Sequence, residues 1–354
     1  MIDVIQWATG GVGRAAIAGV QAHPELRLVG CWVHDPAKAG RDAGDLAGIG
    51  PVGVQATADI DELLGLGADC VIYSPVMADR EVVARILRSG ADVVTPLNWF
   101  FTEPGTQPEL EAACAEGRST LHGTGIHPGG VTERIPLLVS SFSQAITHVR
   151  AEEFSDIRSY GAPDVVRDIM LFGSTPEEAA ASIMPAVLGD GFLQSVAMVG
   201  RQLGFDLDPE PIVTHETAVA TAPIDSPIGE IRPGRVAAQK FSWTATVRDE
   251  PVITVRTNWF MGEEHLDPAW HFGPEGERFE VEVTGDPSTR LTIHGWHPDS
   301  VAAGLRRNPG IVATATHCVS AVTTVVAAEP GIRSYLELPS YSGAAARRLH
   351  RRQG

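Results

Sequence analysis

The chain has 354 residues, 44% hydrophobic and 20% charged, with 44 acidic against 27 basic side chains and a formal net charge of -17. That length suits two ordinary domains with real cores, and the acidic surface repels phosphate backbones, which argues against nucleic acid and for a small-molecule partner. Cys31, Cys70, Cys114 and Cys318 form no C-x-x-C pair, so neither a disulfide framework nor a zinc site is expected, and no metal.

In chain order, "DVIQW" reads as a strand, followed by a glycine turn and the helical pattern "RAAIAGVQAHP", which stops at a proline. "LRLVGCWV" is a second strand, "DIDELLGLG" a short helix, and "ADCVIYSP" a buried strand ending at Ser74 and Pro75. "REVVARILRSG" is an amphipathic helix with a terminal glycine, where a left-handed cap is expected. "ADVVTP" and "STLHGTG" are further strands. This alternation implies β-α-β units and a parallel sheet.

Near residue 150 the texture changes. "KFSWTATVRD", "PVITVRTNWF" and "ERFEVEVTG" alternate with period two, as half-exposed antiparallel strands do. "GIVATATHCVSAVTTVVAAEPGI" is an apolar helix expected to return to the first domain. The expected organisation is therefore a dinucleotide-binding domain over 1–148, completed by a helix over about 301–335. A substrate and dimerisation domain follows over 149–300, and a tail over 336–354 in which Arg347, Arg348, Arg351 and Arg352 form a solvated basic cluster. The chain opens directly on a strand, without a signal peptide, and no apolar run approaches the roughly 18 residues of a membrane span. The expectation is a cytoplasmic protein that does not engage a membrane.

The turn after the first strand, Ala8-Thr9-Gly10-Gly11-Val12-Gly13, reads A-x-G-x-x-G. In a dinucleotide turn the middle glycine lets the backbone approach the pyrophosphate, and the last lets the helix pack on its strand. The helix N-terminus supplies N–H groups and a positive dipole end. Gly10 and Gly13 hold those places, and Ala8 replaces the first glycine, tolerably so where its φ is negative. An acid about 20 residues on meets the ribose in such folds. His34 and Asp35 stand there, with Lys38 and Arg41 nearby for a 2′-phosphate, so NAD and NADP both stay open. Asp35-Pro36 also reads as a turn start. Thr9, Gly10, Gly11, Val12, Gly13, His34, Asp35, Lys38, Ser74 and Pro75 are the expected contacts of an NAD(P)H cofactor.

The segments "VIQWATGGVGRAA", "VGCWVHDPAKAGRDAG", "HGTGIHPGGVTERIP", "AEEFSDIRSYGAPDVVRDIMLFG", "WFMGEEHLDPAW" and "VSAVTTVVAAEPGI" carry a resemblance. The chain resembles the dihydrodipicolinate-reductase-like family that includes 2,4-diaminopentanoate dehydrogenase and the native amine dehydrogenases, particularly its actinobacterial members. The resemblance implies an N-terminal Rossmann fold, a doubly wound parallel sheet, and an α+β substrate domain with an open, mostly antiparallel sheet, assembled as a homodimer. It implies hydride transfer between NAD(P) and a C=N or C=O carbon of a small, largely apolar substrate. Gly125, His127 and Pro128 match the loop that lies against the nicotinamide. The family's essential glutamate follows the "VVT" strand; here Thr95-Pro96-Leu97-Asn98-Trp99 offers no carboxylate, and Glu103 is the nearest.

Glu103, His127 and Tyr160 are the catalytic candidates, because a hydride acceptor needs a group that stabilises charge and moves protons beside it. Each has a plainer reading: Glu103 as a helix cap, His127 as a loop former, Tyr160 as a core phenol. Asn98, Trp99, Gly130, Tyr160, Trp259, His265 and Trp270 are the substrate-binding candidates. The aromatic and imidazole cluster of Trp259, His265, Trp270 and His271 reads equally as a pocket wall or a satellite core. The alternative function is a nucleotide-bound sensor or partner-binding protein that kept the scaffold and lost the catalytic carboxylate.

Overall fold

A computed structural model describes residues 1–273, 277–294 and 308–345. The chain divides into two compact units, Met1–Gly125 with the described residues from Ile311 onward, and Ile126–Gly310. The four terminal arginines lie outside the described residues, as do residues 301–307 of the expected closing helix.

In the first unit, strands β1 (Ile2–Trp7), β2 (Leu26–Trp32), β3 (Ala56–Thr57), β4 (Cys70–Tyr73), β5 (Asp92–Thr95) and β6 (Thr120–Gly123) form one parallel sheet with a short closing strand, Gly331–Ile332. The order is closing strand, β6, β5, β4, β1, β2, β3. Sequence order reverses at β1, the topological switch point at which open α/β sheets bind ligands. Helix Gly11–Ala22 buries Gly13, Ala16, Ile17 and Val20, the 3.6-residue stripe of an amphipathic helix.

The closing helix, Pro309–Val326, buries Ala315, Cys318, Val319, Val322 and Val325 in the same core as Ala16, Ile17 and Val20. Gly19 admits it: a Cβ there would lie 3.1 Å from Val319 Cγ2. The helix has 18 residues and a mean hydropathy of 1.4, long and apolar enough to cross a membrane. This corrects the expectation that no segment reaches that length; here the apolar face is spent on the core.

The second unit begins at Ile126, earlier than the boundary at 148 read from the sequence, because Val131 and Val139 belong to its core. Strands β7 (Gln144–Asp156), β8 (Ile212–Ala220), β11 (Val236–Val247), β12 (Glu250–Phe260), β13 (Leu266–Asp267), β14 (Arg278–Asp286) and β15 (Thr289–Ile293) form its sheet in the order β13-β8-β11-β12-β7-β14-β15. A separate hairpin, β9 (Ile224–Ser226) with β10 (Gly229–Ile231), lies outside it. Every pairing in the large sheet is antiparallel except β12 with β7.

Period two puts Val149 and Ala151 of β7, Ile253 and Val255 of β12, and Phe279, Val281 and Val283 of β14 on the core face. Helix Met184–Leu203 lies on that face, with Phe192 stacked 4.3 Å from Trp243. Gly189 permits the approach: a Cβ there would sit 2.7 Å from Trp243 Nε1.

Candidate active site

The glycine turn is built for close approach. Helix Gly11–Ala22 starts at Gly10 with no side-chain cap, so its first N–H groups point outward unsatisfied by any side chain. A Cβ at Gly13 would lie 2.1 Å from the Ala8 carbonyl oxygen, which forces glycine there. A Cβ at Gly10 would meet no protein atom within 4 Å, so packing within the protein does not demand that glycine and the space above it is open. Ala8 has φ +75°, in the left-handed region. The condition of a negative φ therefore fails: the turn keeps the geometry of the missing glycine and forces alanine into it. Gln6 Nε2 holds the strained turn by donating to the Ala8 carbonyl (3.0 Å) and to Ser74 Oγ (2.9 Å).

Asp35 follows β2, exposed, with Oδ1 accepting from Ala37 N at 2.9 Å, so it starts the turn Pro36–Lys38 and keeps its second oxygen at the rim. His34 is exposed beside Trp32, and Lys38 is half-buried. Ser74 is buried and its hydroxyl ties β4 to β1, while Pro75 remains half-buried. Open Gly10, close-packed Gly13, the uncapped helix and the acid after β2 together fit a dinucleotide.

The stretch after β5 is structural. Trp99, expected as a substrate contact, is 4% exposed and packs in the first unit's core. Its φ is +60°, and its N–H donates to Asn98 Oδ1 at 2.7 Å. The loop leans on Gly123, where a Cβ would be 2.3 Å from the Asn98 carbonyl oxygen. Glu103 is exposed and its carbonyl closes a turn with Thr106. The N-cap of the following helix is Gln107, and Glu111 Oε1 accepts from Gly105 N and Gln107 N there. Thr124, just past β6, shares a hydroxyl network with Tyr335 and Tyr341, both bonded to His317 Nε2 at 2.7 and 3.1 Å.

His127, in the turn Ile126–Arg134, has no exposed side-chain surface. Its Nδ1 lies 3.0 Å from Glu153 Oε2, its ring packs on Phe192 and Phe279, and its Nε2 is buried without a partner. Gly130 is buried in the same turn. Tyr160 joins this group: burial first, then the nearby Glu153, push its phenol up to about 12. Glu133 is fully buried, with Oε1 accepting from Ser195 Oγ at 2.5 Å and Oε2 unpartnered; burial pushes it up to about 8. Glu277 accepts from Asp156 N, and burial, with Asp156 second, pushes it up to about 7.

The aromatic and imidazole cluster divides: its two tryptophans are core and its two histidines are exposed. Trp259 is 5% exposed and edge-on to Phe241, and Trp270 lies in the same core beneath Lys240 Nζ at 4.1 Å. Of the two readings of these tryptophans, pocket wall or core, their burial favours the core. His265 and His271 are exposed, the latter 3.6 Å from Glu263.

Comparison with known proteins agrees with this geometry. The C-terminal domain of 2,4-diaminopentanoate dehydrogenase matches residues 131–351, and the N-terminus of dihydrodipicolinate reductase matches residues 4–95. An amine dehydrogenase of Streptomyces virginiae is 32% identical over 96% of each chain. The 2,4-diaminopentanoate dehydrogenase of Acetoanaerobium sticklandii is 22% identical over 72% of this chain and 66% of its own. The chain belongs to the 2,4-diaminopentanoate dehydrogenase and amine dehydrogenase family. A solved amine dehydrogenase structure from Mycobacterium smegmatis shares the fold, with a TM-score of 0.78 at 20% identity over 97% of each chain.

As a member of that family the chain is an NAD(P)-dependent oxidoreductase, and the nucleotide-bound sensor is not favoured. Sequence reasoning missed Glu153, the partner of His127. The signal was present: "VRAEEFSD" is a strand with two adjacent glutamates, so one of them must face the core.

Proposed function

We propose that this enzyme oxidises a primary amine to a carbonyl compound and ammonia, or runs the reverse reductive amination, on a small and largely apolar substrate. The observation that carries the reading is the glycine turn, open at Gly10 and closed at Gly13, in a chain 32% identical end to end to an amine dehydrogenase. Thr9 to Gly13 hold the pyrophosphate against the helix N-terminus, and Asp35 meets the ribose. When bound, the nicotinamide gives or accepts the hydride. His127 and Tyr160, grouped about Glu153, supply the imidazole and phenol that move a proton at a substrate nitrogen or oxygen.

The same reading makes the protein a cytoplasmic homodimer that acts on a small molecule and engages neither nucleic acid nor membrane. Oxidation of NADH and NADPH by short ketones and aldehydes, with and without ammonia, tests it. Ammonia-dependent turnover is expected. Tight cofactor binding with no turnover of any carbonyl or amine overturns it.

A further inference from the structure

The family's glutamate is missing from the loop after β5, yet the second unit carries a buried carboxylate in a place where a strand has no structural need of one. Across the core face of the large sheet, one row reads Phe241, Thr257, Glu153, Phe279 in register. Behind Glu153 along β7 come Ala151 and Val149, both core residues. Glu153 and Thr257 thus interrupt an apolar layer side by side. An unpaired polar group costs about 1–3 kcal/mol in such a layer.

Glu153 meets His127 at 3.0 Å, between Phe192 and Phe279. Beyond that bond the row is conspicuously under-satisfied: His127 Nε2 and Thr257 Oγ1 are both buried without any hydrogen-bond partner. Of the side-chain atoms orphaned in this way among the described residues, Glu133 Oε2 and Glu277 Oε2 are also in the second unit. Buried polar atoms are ordinarily paired, so the orphans on the two residues that adjoin Glu153, His127 and Thr257, point to a polar partner there.

Chemistry then selects the ligand. With the Nδ1 hydrogen donated to Glu153, the neutral imidazole presents Nε2 as an acceptor, and Thr257 and Glu153 add further acceptor oxygens. No arginine or lysine pairs with Glu153 among the described residues. A site rich in acceptors and lacking a cation suits a group that brings N–H donors and positive charge.

We infer that Glu153, acting through His127 and beside Thr257, is the carboxylate that serves the substrate nitrogen in this chain, forming a site for ammonium or a primary alkylammonium within the second unit. This inference rests on the amine-dehydrogenase reading for its substrate class. His127 Nε2 takes one proton from ammonium, freeing the nitrogen lone pair to form the C–N bond at the carbonyl carbon. The adduct oxygen takes one proton from its own nitrogen to become a hydroxyl, and the proton held at Nε2 then passes to that hydroxyl as the C–O bond breaks and water leaves, giving the iminium carbon that accepts the hydride. Imidazole and carboxylate finish as they began. Glu153 is a positioning residue in this scheme, since it fixes the tautomer that leaves Nε2 free.

Glu153→Gln, Glu153→Asp and Thr257→Val test it in the full chain. For Glu153→Gln, kcat/KM for ammonia is expected to fall at least ~100-fold while the KM of the carbonyl substrate stays within about twofold. Glu153→Asp is expected to restore most of the loss, and Thr257→Val to raise the KM of ammonia with little change in kcat. Nitrogen-15 NMR of the cofactor-free protein is expected to show the Nδ1–H tautomer of His127 in the wild type and its loss in Glu153→Gln. Calorimetry with n-butylammonium chloride on NAD-saturated protein is expected to show binding that Glu153→Gln abolishes.

Wild-type ammonia kinetics in Glu153→Gln overturn the inference while leaving the amine-dehydrogenase reading intact. Glu153-dependent n-butylammonium binding without turnover of any amine leaves the ammonium site standing, but overturns that reading and with it the proton transfer assigned to His127. Absence of n-butylammonium binding to the wild type overturns the inference. If Glu153→Gln fails to fold, Thr257→Val carries the kinetic test, and an unchanged KM for ammonia in that variant overturns the inference.

Discussion

Ala8, Gly10 and Gly13 occupy one turn under three different constraints, and substitutions separate them. Ala8→Gly relieves a left-handed alanine and is expected to stabilise the chain by about 0.5–1 kcal/mol, read from urea unfolding. Gly13→Ala places a methyl 2.1 Å from the Ala8 carbonyl and is expected to lower the unfolding midpoint and abolish cofactor binding together. Gly10→Ala meets nothing in the protein, so the fold is expected to hold while NAD(P)H affinity, measured by fluorescence titration, falls at least ~10-fold. The turn was legible in the sequence because its contacts are local. The fate of Trp99 was not: an aromatic side chain reads the same whether it lines a pocket or fills a core, and only the position of Gly123 beneath the loop decides it.

At the scale of elements, helix Met184–Leu203 does most to shape the second unit, although the sequence reading passed over it. It stacks Phe192 on Trp243 and sets the same ring against His127. Phe192→Ala is expected to cost about 3–5 kcal/mol of stability, seen by chemical denaturation, and to loosen the His127 tautomer on the NMR spectrum. The strands themselves were readable from their period of two. Register was not, because it is fixed by pairings between segments about a hundred residues apart, such as Glu153 with Thr257. The partner of His127 was therefore invisible until β7 lay beside β12.

The whole molecule combines a net charge of -17 with three acids raised by burial: Asp92 and Glu277 to about 7 and Glu133 to about 8. A carboxyl raised in the fold favours folding fully below its unfolded value near 4, and that contribution is lost as pH rises through 7 to 8. Asp3, Asp42, Asp208 and Glu280 are lowered instead, by hydrogen bonds and arginines, so their contribution is lost as pH falls below about 4. Thermal stability is expected to peak near pH 5 and decline toward pH 8.5. Glu133→Gln, which keeps the Ser195 bond, is expected to be more stable than wild type at pH 8.5 and equal to it at pH 4, by thermal unfolding at both. Coarse architecture was legible in the sequence because alternating β-α units need no long-range knowledge, whereas the unit boundary at Gly125 was set by where Val131 and Val139 find a core. The closing helix carries a further consequence, for synthesis rather than for the finished fold. Ala16, Ile17 and Val20 pack with Ala315, Val319 and Val322, so the first unit to leave the ribosome is the last to be completed. The second unit can condense while the nascent first sheet still waits, apolar and uncovered, for a helix whose codons have not been read.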